Sequence, residues 1–363
     1  PDESSIGQSA ARCGPLMPLS EFTLIDRYFA AQGLNRPDVA LGIGDDCALL
    51  SPPAGQLLVV RLDTLVADVH FFAATDPKGL GHKVLAVNLS DLAAMGALPA
   101  WATLALTLPQ IDEGWLEPFC QGLFGLAQRY NVQLVGGDTT HGPTTVISLQ
   151  AHGFVPQGQA LRRDGARPGD GIYVTGTPGD AGLALAAAYG QVTVVIENRD
   201  YVQARLERPG PRIAQGLAQR GIRARSIDIS DGLAQDLGHI LKRSGVGAHL
   251  DVGRLPLSPA LCTTLEREAA WVMALTSSAR PARLAPGHLF LAVGGLPALL
   301  DVRLGQPAAR QPVCNVLGHH TRAQSHPRQH RDQPQRHGDP HDSFPGQPGL
   351  LRTHPHDAVR RVR

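Results

Sequence analysis

The stretch that decides the fold is Arg225–Gly245, "RSIDISDGLAQDLGHILKRSG". An apolar alternation, "SIDI", runs into an acidic turn with glycine, "SDG". Leu233, Leu237, Ile240 and Leu241 then recur at helical spacing, so the segment reads as strand, turn and amphipathic helix. The same grammar occurs upstream in "GIYVTGTPGDAGLALAAAYG", Gly171–Gly190, and it extends backwards through most of the chain. "QLLVVRLDTLV" (56–66), "AWATLALTLP" (100–109) and "TTVISLQAHGFV" (144–155) read as strands, and "VQLVGGD" (132–138) as a strand ending in a Gly-Gly turn. "PKGLGHKVLAVNLSDLAAMGA" (77–97) reads as a long helix with Leu85, Leu89 and Leu92 on its apolar face, and "EGWLEPFCQGLFGLAQRY" (113–130) as another. "SEFTLIDRYFA" (20–30) opens a further helix, with Ser20 as its N-cap.

These elements predict an α/β (α+β) protein of two domains: an N-terminal domain over residues 20–156 and a C-terminal α/β domain over 157–277, separated at the Gly- and Pro-rich loop "RRDGARPGD". Residues 278–363 differ in kind. They carry 12 Arg and 5 Asp with no Lys, Glu, Ile, Met, Tyr or Trp, a formal charge of +7 against −6 for the rest. Such a tail is expected to be disordered or aberrant, because it buries too little apolar surface to offset its ordering entropy. It resembles a GC-rich coding sequence read out of frame; only the island "LFLAVGGLPALLDVRL" looks globular. Its nine histidines are irregularly spaced among prolines and do not mark a metal site.

The whole chain has 363 residues, 43% of them hydrophobic, and a net charge of +1. No run of 18 apolar residues and no secretory pattern is present, which points to a cytoplasmic protein without a membrane partner. Because the excess positive charge sits in the tail, nucleic acid is not an expected partner of the folded body. The five cysteines are scattered with no CxxC pair and suggest neither a disulfide framework nor a zinc site.

Carboxylates recur beside glycines and apolar runs: Asp45 and Asp46 in "LGIGDDCALL", Asp63 in "RLDTL", Asp91 in "VNLSDLAAMG", Asp138 in "VGGDTT", and Asp228 and Asp231 in "IDISDG". Each has an ordinary reading as a cap or turn residue. Together they suggest acids converging on a hard divalent cation, with the glycines offering backbone N–H groups to phosphates. Neither a Walker motif nor the protein-kinase set is present.

"GIGDDCALL", "DTLVADVHF", "KVLAVNLSDLAAMGALPAWATLALTLP", "QLVGGDTTHGP", "HGFVP", "RRDGARPGDGIYVTGTPGD" and "IDISDGLAQDLGHI" together resemble the bacterial thiamine-monophosphate kinase family. That family belongs to an ATP-binding superfamily with aminoimidazole ribonucleotide synthase and selenophosphate synthetase. The resemblance spans roughly residues 20–275. It implies a homodimer whose N-terminal mixed sheets pair into a barrel, and direct, in-line phosphoryl transfer from ATP to thiamine monophosphate. It implies several Mg²⁺ ions held by Asp46, Asp63, Asp91, Asp138, Asp228 and Asp231. Asp91, Asp138 and Arg163 (or Arg162 in its place) would carry catalysis. Gly137, Asp138, Arg163 and Ser230 would bind ATP, and His70 would face the thiamine phosphate.

Two positions depart from the family pattern. Arg61 and Leu62 stand where a hydroxyl pair usually precedes the "DTL" aspartate, and "SARPARLAP" follows "WVMALTS" where a "GGEDYEL" motif is expected. The alternatives are therefore a catalytically impaired nucleotide-binding dimer of the same family or another ATP-dependent synthetase of the superfamily.

Overall fold

The computed structural model describes residues 21–30, 34–222, 224–276 and 289–294. The chain opens with α1 (Glu21–Leu24), continued by a wider π-helical turn to Ala30, and a small hairpin of β1 (Val39–Leu41) and β2 (Leu49–Leu50). Then come β3 (Gln56–Val66), α2 (Pro77–Ala94), β4 (Leu98–Leu108), α3 (Glu113–Tyr130), β5 (Gln133–His141) and β6 (Val146–Pro156). The later part holds β7 (Gly171–Val174), α4 (Asp180–Ala188), α5 (Ile196–Glu207), α6 (Ile213–Ala218), β8 (Arg225–Ile229), α7 (Leu233–Ser244), α8 (Pro259–Thr264), α9 (Arg267–Thr276) and β9 (Leu289–Gly294).

Strands β3, β6, β4 and β5 form one mixed sheet in that order, antiparallel except for the β4–β5 pair. One face is closed by α2 and α3, whose Leu85, Leu89, Phe119 and Leu123 pack on Leu104, Leu106, Ile147 and Leu149. The opposite face is only partly covered. Trp101, Val135 and Phe154 meet the β1–β2 hairpin, whereas Leu58, Val60 and Leu62, alternating along edge strand β3, are 46%, 48% and 54% exposed. Period-2 alternation places these three on one side and Asp63 and Leu65 on the other.

A second sheet has the order β7–β9–β8, with β9 antiparallel to both neighbours. The globular-looking island beyond residue 278 thus supplies the central strand, and the rest of that tail, including every histidine in it, lies outside the described residues. The expected "GGEDYEL" position, after Ser277, also lies outside the described residues.

Two predictions of element character change in the structure. The Gly136–Gly137 pair is not a turn: β5 continues through it to His141. A Cβ on Gly137 would lie 1.9 Å from the Leu104 carbonyl oxygen, so the parallel β4–β5 pairing itself demands glycine there. Asp138 accordingly sits within a strand. The second change concerns α2, which is buried nearly all round, because it is sandwiched between the first sheet with α3 on one side and α5, α6 and β8 on the other. Of the two ordinary readings of Asp231, cap and turn residue, the structure keeps the turn: Gly232 holds the N-cap position of α7 at φ 126°.

The end of α2 is clamped by the later part of the chain. The Ser226 hydroxyl donates to the Ala94 carbonyl, and Arg220 donates to the carbonyls of Gly96 and, at 3.0 Å, Phe154. The first of these bonds satisfies a C-terminal helix carbonyl that the helix cannot satisfy itself, and together they bring β8 beside Asp91. Among the described residues no helix is long and apolar enough to cross a membrane.

Candidate active site

Where β8 meets α2 and β3, a cleft of about 340 Å³ opens. Strand β3 contributes Arg61 and Asp63, two residues apart and therefore on one face. The turn after β3 contributes His70, α2 contributes Asp91, and the loop after "HGFVP" contributes Arg163; Asp228, Ser230 and Asp231 come from β8 and its following turn, and Asp236 and His239 from α7. Seven residues singled out in the sequence, Asp63, His70, Asp91, Arg163, Asp228, Ser230 and Asp231, line this one cleft. Arg162 does not: its guanidinium turns outward to Asp164 at 2.8 Å.

Asp46, Gly137 and Asp138 line a different cavity of about 450 Å³, between the Ile43–Ala48 loop, the β5 edge and Phe29. Asp45 and Asp46 are both exposed, and the Asp45 carboxylate accepts the Asp46 N–H at 2.9 Å, shaping the turn that presents Asp46.

The electrostatics of the cleft are uneven. Asp228 is 4% exposed and accepts a hydrogen bond from the Ser90 hydroxyl at 2.5 Å. Asp91 is not a lone charge in an apolar helix: its carboxylate meets Arg61 Nε at 2.6 Å, and the same guanidinium bonds Asp63. Burial works against the Arg61 charge, but Asp91 and Asp63 together hold its pKa above the ordinary value. His70 Nδ1 accepts the Val66 N–H at 3.1 Å, which puts the imidazole proton on Nε2, and burial lowers its pKa. The ring therefore offers a neutral N–H donor near neutral pH.

One Asp236 oxygen accepts three backbone N–H groups, from Ser230 and Asp231 at 3.0 Å and from Gly232 at 3.1 Å. Burial raises the Asp236 pKa and the three donors oppose that rise. This carboxylate is what fixes the "SDG" turn, and a Cβ on Gly232 would approach the Thr276 carbonyl oxygen to 2.3 Å. The reading from sequence missed Asp236 and Ser90. Their signals were an acid in the first turn of a helix that follows an acidic loop, and a hydroxyl adjoining Asp91.

The cleft holds five aspartates against two arginines. A polyphosphate cannot enter that field without cations, and the donor set, all carboxylate oxygen, suits Mg²⁺ in kind. The fit is incomplete in geometry. Among the described residues no three His, Cys, Asp or Glu side chains gather closely enough to hold an ion. Asp63 and Asp91 are closed on Arg61, and Asp228 and Asp231 accept hydrogen bonds from Ser90 and Gln235.

Two family models cover most of this fold: AIR synthase related protein, N-terminal domain, over residues 44–155, and its C-terminal domain over residues 167–280. Fold and site thus define an AIR synthase related protein. Thiamine-monophosphate kinase of Escherichia coli K12 is 54% identical over 261 residues, 72% of this chain and 80% of that protein. The Haemophilus influenzae enzyme of the same name is 45% identical over 72% of this chain and 79% of its own length. Among solved structures, thiamine-monophosphate kinase from Stenotrophomonas maltophilia K279a superposes with TM-score 0.68 at 47% identity, covering 77% of this chain and 87% of that one. AaThiL complexed with AMPPCP and TMP gives TM-score 0.60 at 30% identity, covering 77% and 88%. The chain belongs to the thiamine-monophosphate kinase family.

Proposed function

We propose that this chain transfers the γ-phosphoryl group of ATP to thiamine monophosphate, releasing ADP and thiamine diphosphate, by direct in-line attack without a covalent phosphoenzyme. The observation that carries the reading is the single cleft in which Asp63, Asp91, Arg163, His70 and the Asp228–Asp231 turn meet, in a chain of this family. The AaThiL complex holds an ATP analogue and TMP together, which supports the same pair of substrates here.

The acceptor is a phosphate monoester with a second pKa near about 6, so it is largely dianionic at neutral pH and needs no strong general base. The obstacle is bringing two polyanions together. Arg163 supplies fixed positive charge, His70 Nε2–H supplies a neutral donor for an acceptor phosphate oxygen, and the backbone of the Ser230 turn, held by Asp236, supplies rigid placement. Mg²⁺, when bound, would neutralise phosphate oxygens. Asp228 and Asp231 would be the carboxylates to hold it in this cleft, with Asp46 and Asp138 as further candidates at the neighbouring cavity. We place Asp91 and Asp138 among the catalytic carboxylates, and Gly137, Asp138, Arg163 and Ser230 at the nucleotide.

The family-model boundaries support a division into an N-terminal ATP/Mg-binding domain over 20–156 and a C-terminal domain from 157. The bare stripe of Leu58, Val60 and Leu62 supports a homodimer that closes the first sheet against its copy into a barrel. Dependence on ATP supports a cytoplasmic setting.

The test is production of thiamine diphosphate from ATP and thiamine monophosphate, alongside Asp91→Asn. Absence of product from well-folded protein defeats the kinase reading, and full activity in Asp91→Asn defeats the role given to that carboxylate. Titration with each substrate alone separates the competing reading, an impaired nucleotide-binding dimer, which binds ATP and not thiamine monophosphate. That alternative is favoured by the acid-free sequence "SARPARLAP" after Ser277.

A further inference from the structure

Arg61 is a charged residue of the cleft that the function above leaves unused. Its side chain is 44% exposed, yet it is not extended into solvent. It lies along the Asp63–Asp91 pair, with Nε at 2.6 Å from Asp91 Oδ2 and 3.3 Å from Asp63 Oδ2, and with Nη2 also on Asp63. Strand β3 places Arg61 and Asp63 on one face, and α2 delivers Asp91 opposite them. Two carboxylates drawn together around one cation make up the coordination half of a divalent site. Here a guanidinium supplies the positive charge.

We propose that Arg61 is a built-in counter-ion that takes the cation position between Asp63 and Asp91, so that a divalent ion reaches this pair only by displacing the guanidinium. The proposal deepens the metal-dependent reading above and rests on it. The three side chains carry a net charge of −1 in place of the −2 of the two carboxylates alone. A divalent ion approaching them therefore meets half the charge and a competing donor array that already satisfies both acids. The chain consequently loads divalent metal at Asp63 and Asp91 only at concentrations high enough to displace the guanidinium. Arg61 thus acts as a positioning and selectivity residue, with no contact to the reacting atoms.

The experiment is Mn²⁺ binding to the full chain without ATP or thiamine monophosphate, counted by electron paramagnetic resonance of free Mn²⁺, for wild type, Arg61→Ser, Arg61→Lys and Arg61→Ser with Asp63→Asn. Arg61→Ser is expected to gain one Mn²⁺ per chain or to tighten its weakest site about tenfold, as removal of one like charge at ion-pair distance predicts. Arg61→Lys, which keeps the charge but loses the bidentate fork, is expected to fall between wild type and Arg61→Ser. The double variant is expected to lose the gain. Circular dichroism establishes that each variant is folded, and Arg61→Lys carries the test if Arg61→Ser does not fold. Unchanged stoichiometry and affinity in folded Arg61→Ser, or in Arg61→Lys where only that variant folds, overturns the proposal, as does a gain that survives Asp63→Asn. Because no nucleotide is present, the outcome is independent of turnover. Unchanged Mn²⁺ binding beside an active kinase removes only the role of Arg61, and a Mn²⁺ gain in a chain without kinase activity removes only the kinase reading.

Discussion

The hydrogen bond from Ser90 to Asp228 is the tie between the two halves of the cleft, and Ser90→Ala measures it. Ser90 is 1% exposed and Asp228 4% exposed, and the two lie 2.5 Å apart across 138 residues of sequence. A hydrogen bond to a buried charged group contributes about 1.5–3 kcal/mol, and removal of one partner leaves the other with part of its desolvation cost uncompensated. Asp228 keeps other interactions, which puts the expected loss near the middle of that range, about 2 kcal/mol. For a chain with this much ordered structure the melting temperature should fall by about 4–8 °C. Urea denaturation followed by far-UV circular dichroism gives the stability change. A cycle with Asp228→Asn isolates the pair and should return a coupling of about 2 kcal/mol. In the same variant the Asp228 carboxylate loses its orientation toward the cleft, so the KM for ATP should rise more than kcat falls. A Ser90→Ala protein within about 0.5 kcal/mol of wild type, which is the scatter of ordinary surface changes, would refute the reasoning.

Gly137→Ala should cost about 2 kcal/mol or more, because its Cβ meets the Leu104 carbonyl at 1.9 Å and the parallel strands must separate; equal urea midpoints for the two proteins would defeat this. Lys83 is buried, and burial lowers its pKa to about 8 against an ordinary 10.5, with Glu207 opposing the fall. Below pH 8 the folded chain carries a buried cation at a cost. Between the folded and unfolded values the unfolded chain binds the extra proton, so stability rises with pH across that window. Lys83→Met should therefore stabilise the protein at pH 7 by about 2 kcal/mol, with the advantage shrinking toward pH 10 in melts run across that range. Leu62→Glu, on the bare face of β3, should convert a dimer to a monomer in light scattering with little change in far-UV circular dichroism; an unchanged mass would place the dimer contact elsewhere.

Much of this protein was legible in the order of its residues. Period-2 and period-3.6 patterns gave β3 and α3 over the ranges observed, placed α7, and gave α2 with an end three residues too long. The motifs marked the acids as well, because Asp63, Asp91, Asp228 and Asp231 sit beside glycine and apolar runs that solvent-facing charges do not need. What the sequence could not supply was partnership. Arg61 read as a departure from a family pattern, and only the approach of α2 to β3 revealed that it closes on Asp63 and Asp91. Asp236 was not singled out in the sequence, and only the turn folding back over its helix gave its carboxylate three backbone donors. Gly136–Gly137 read as a turn because glycine's freedom is a local property, while its actual use, close approach of two parallel strands, is a property of the sheet. The sequence by itself determined which segments bury a face and which acids are out of place. Tertiary structure alone decided which groups satisfy one another, because Coulomb and hydrogen-bond energies depend on distances in space, and neither Arg61 with Asp91 nor Ser90 with Asp228 is paired by any local pattern.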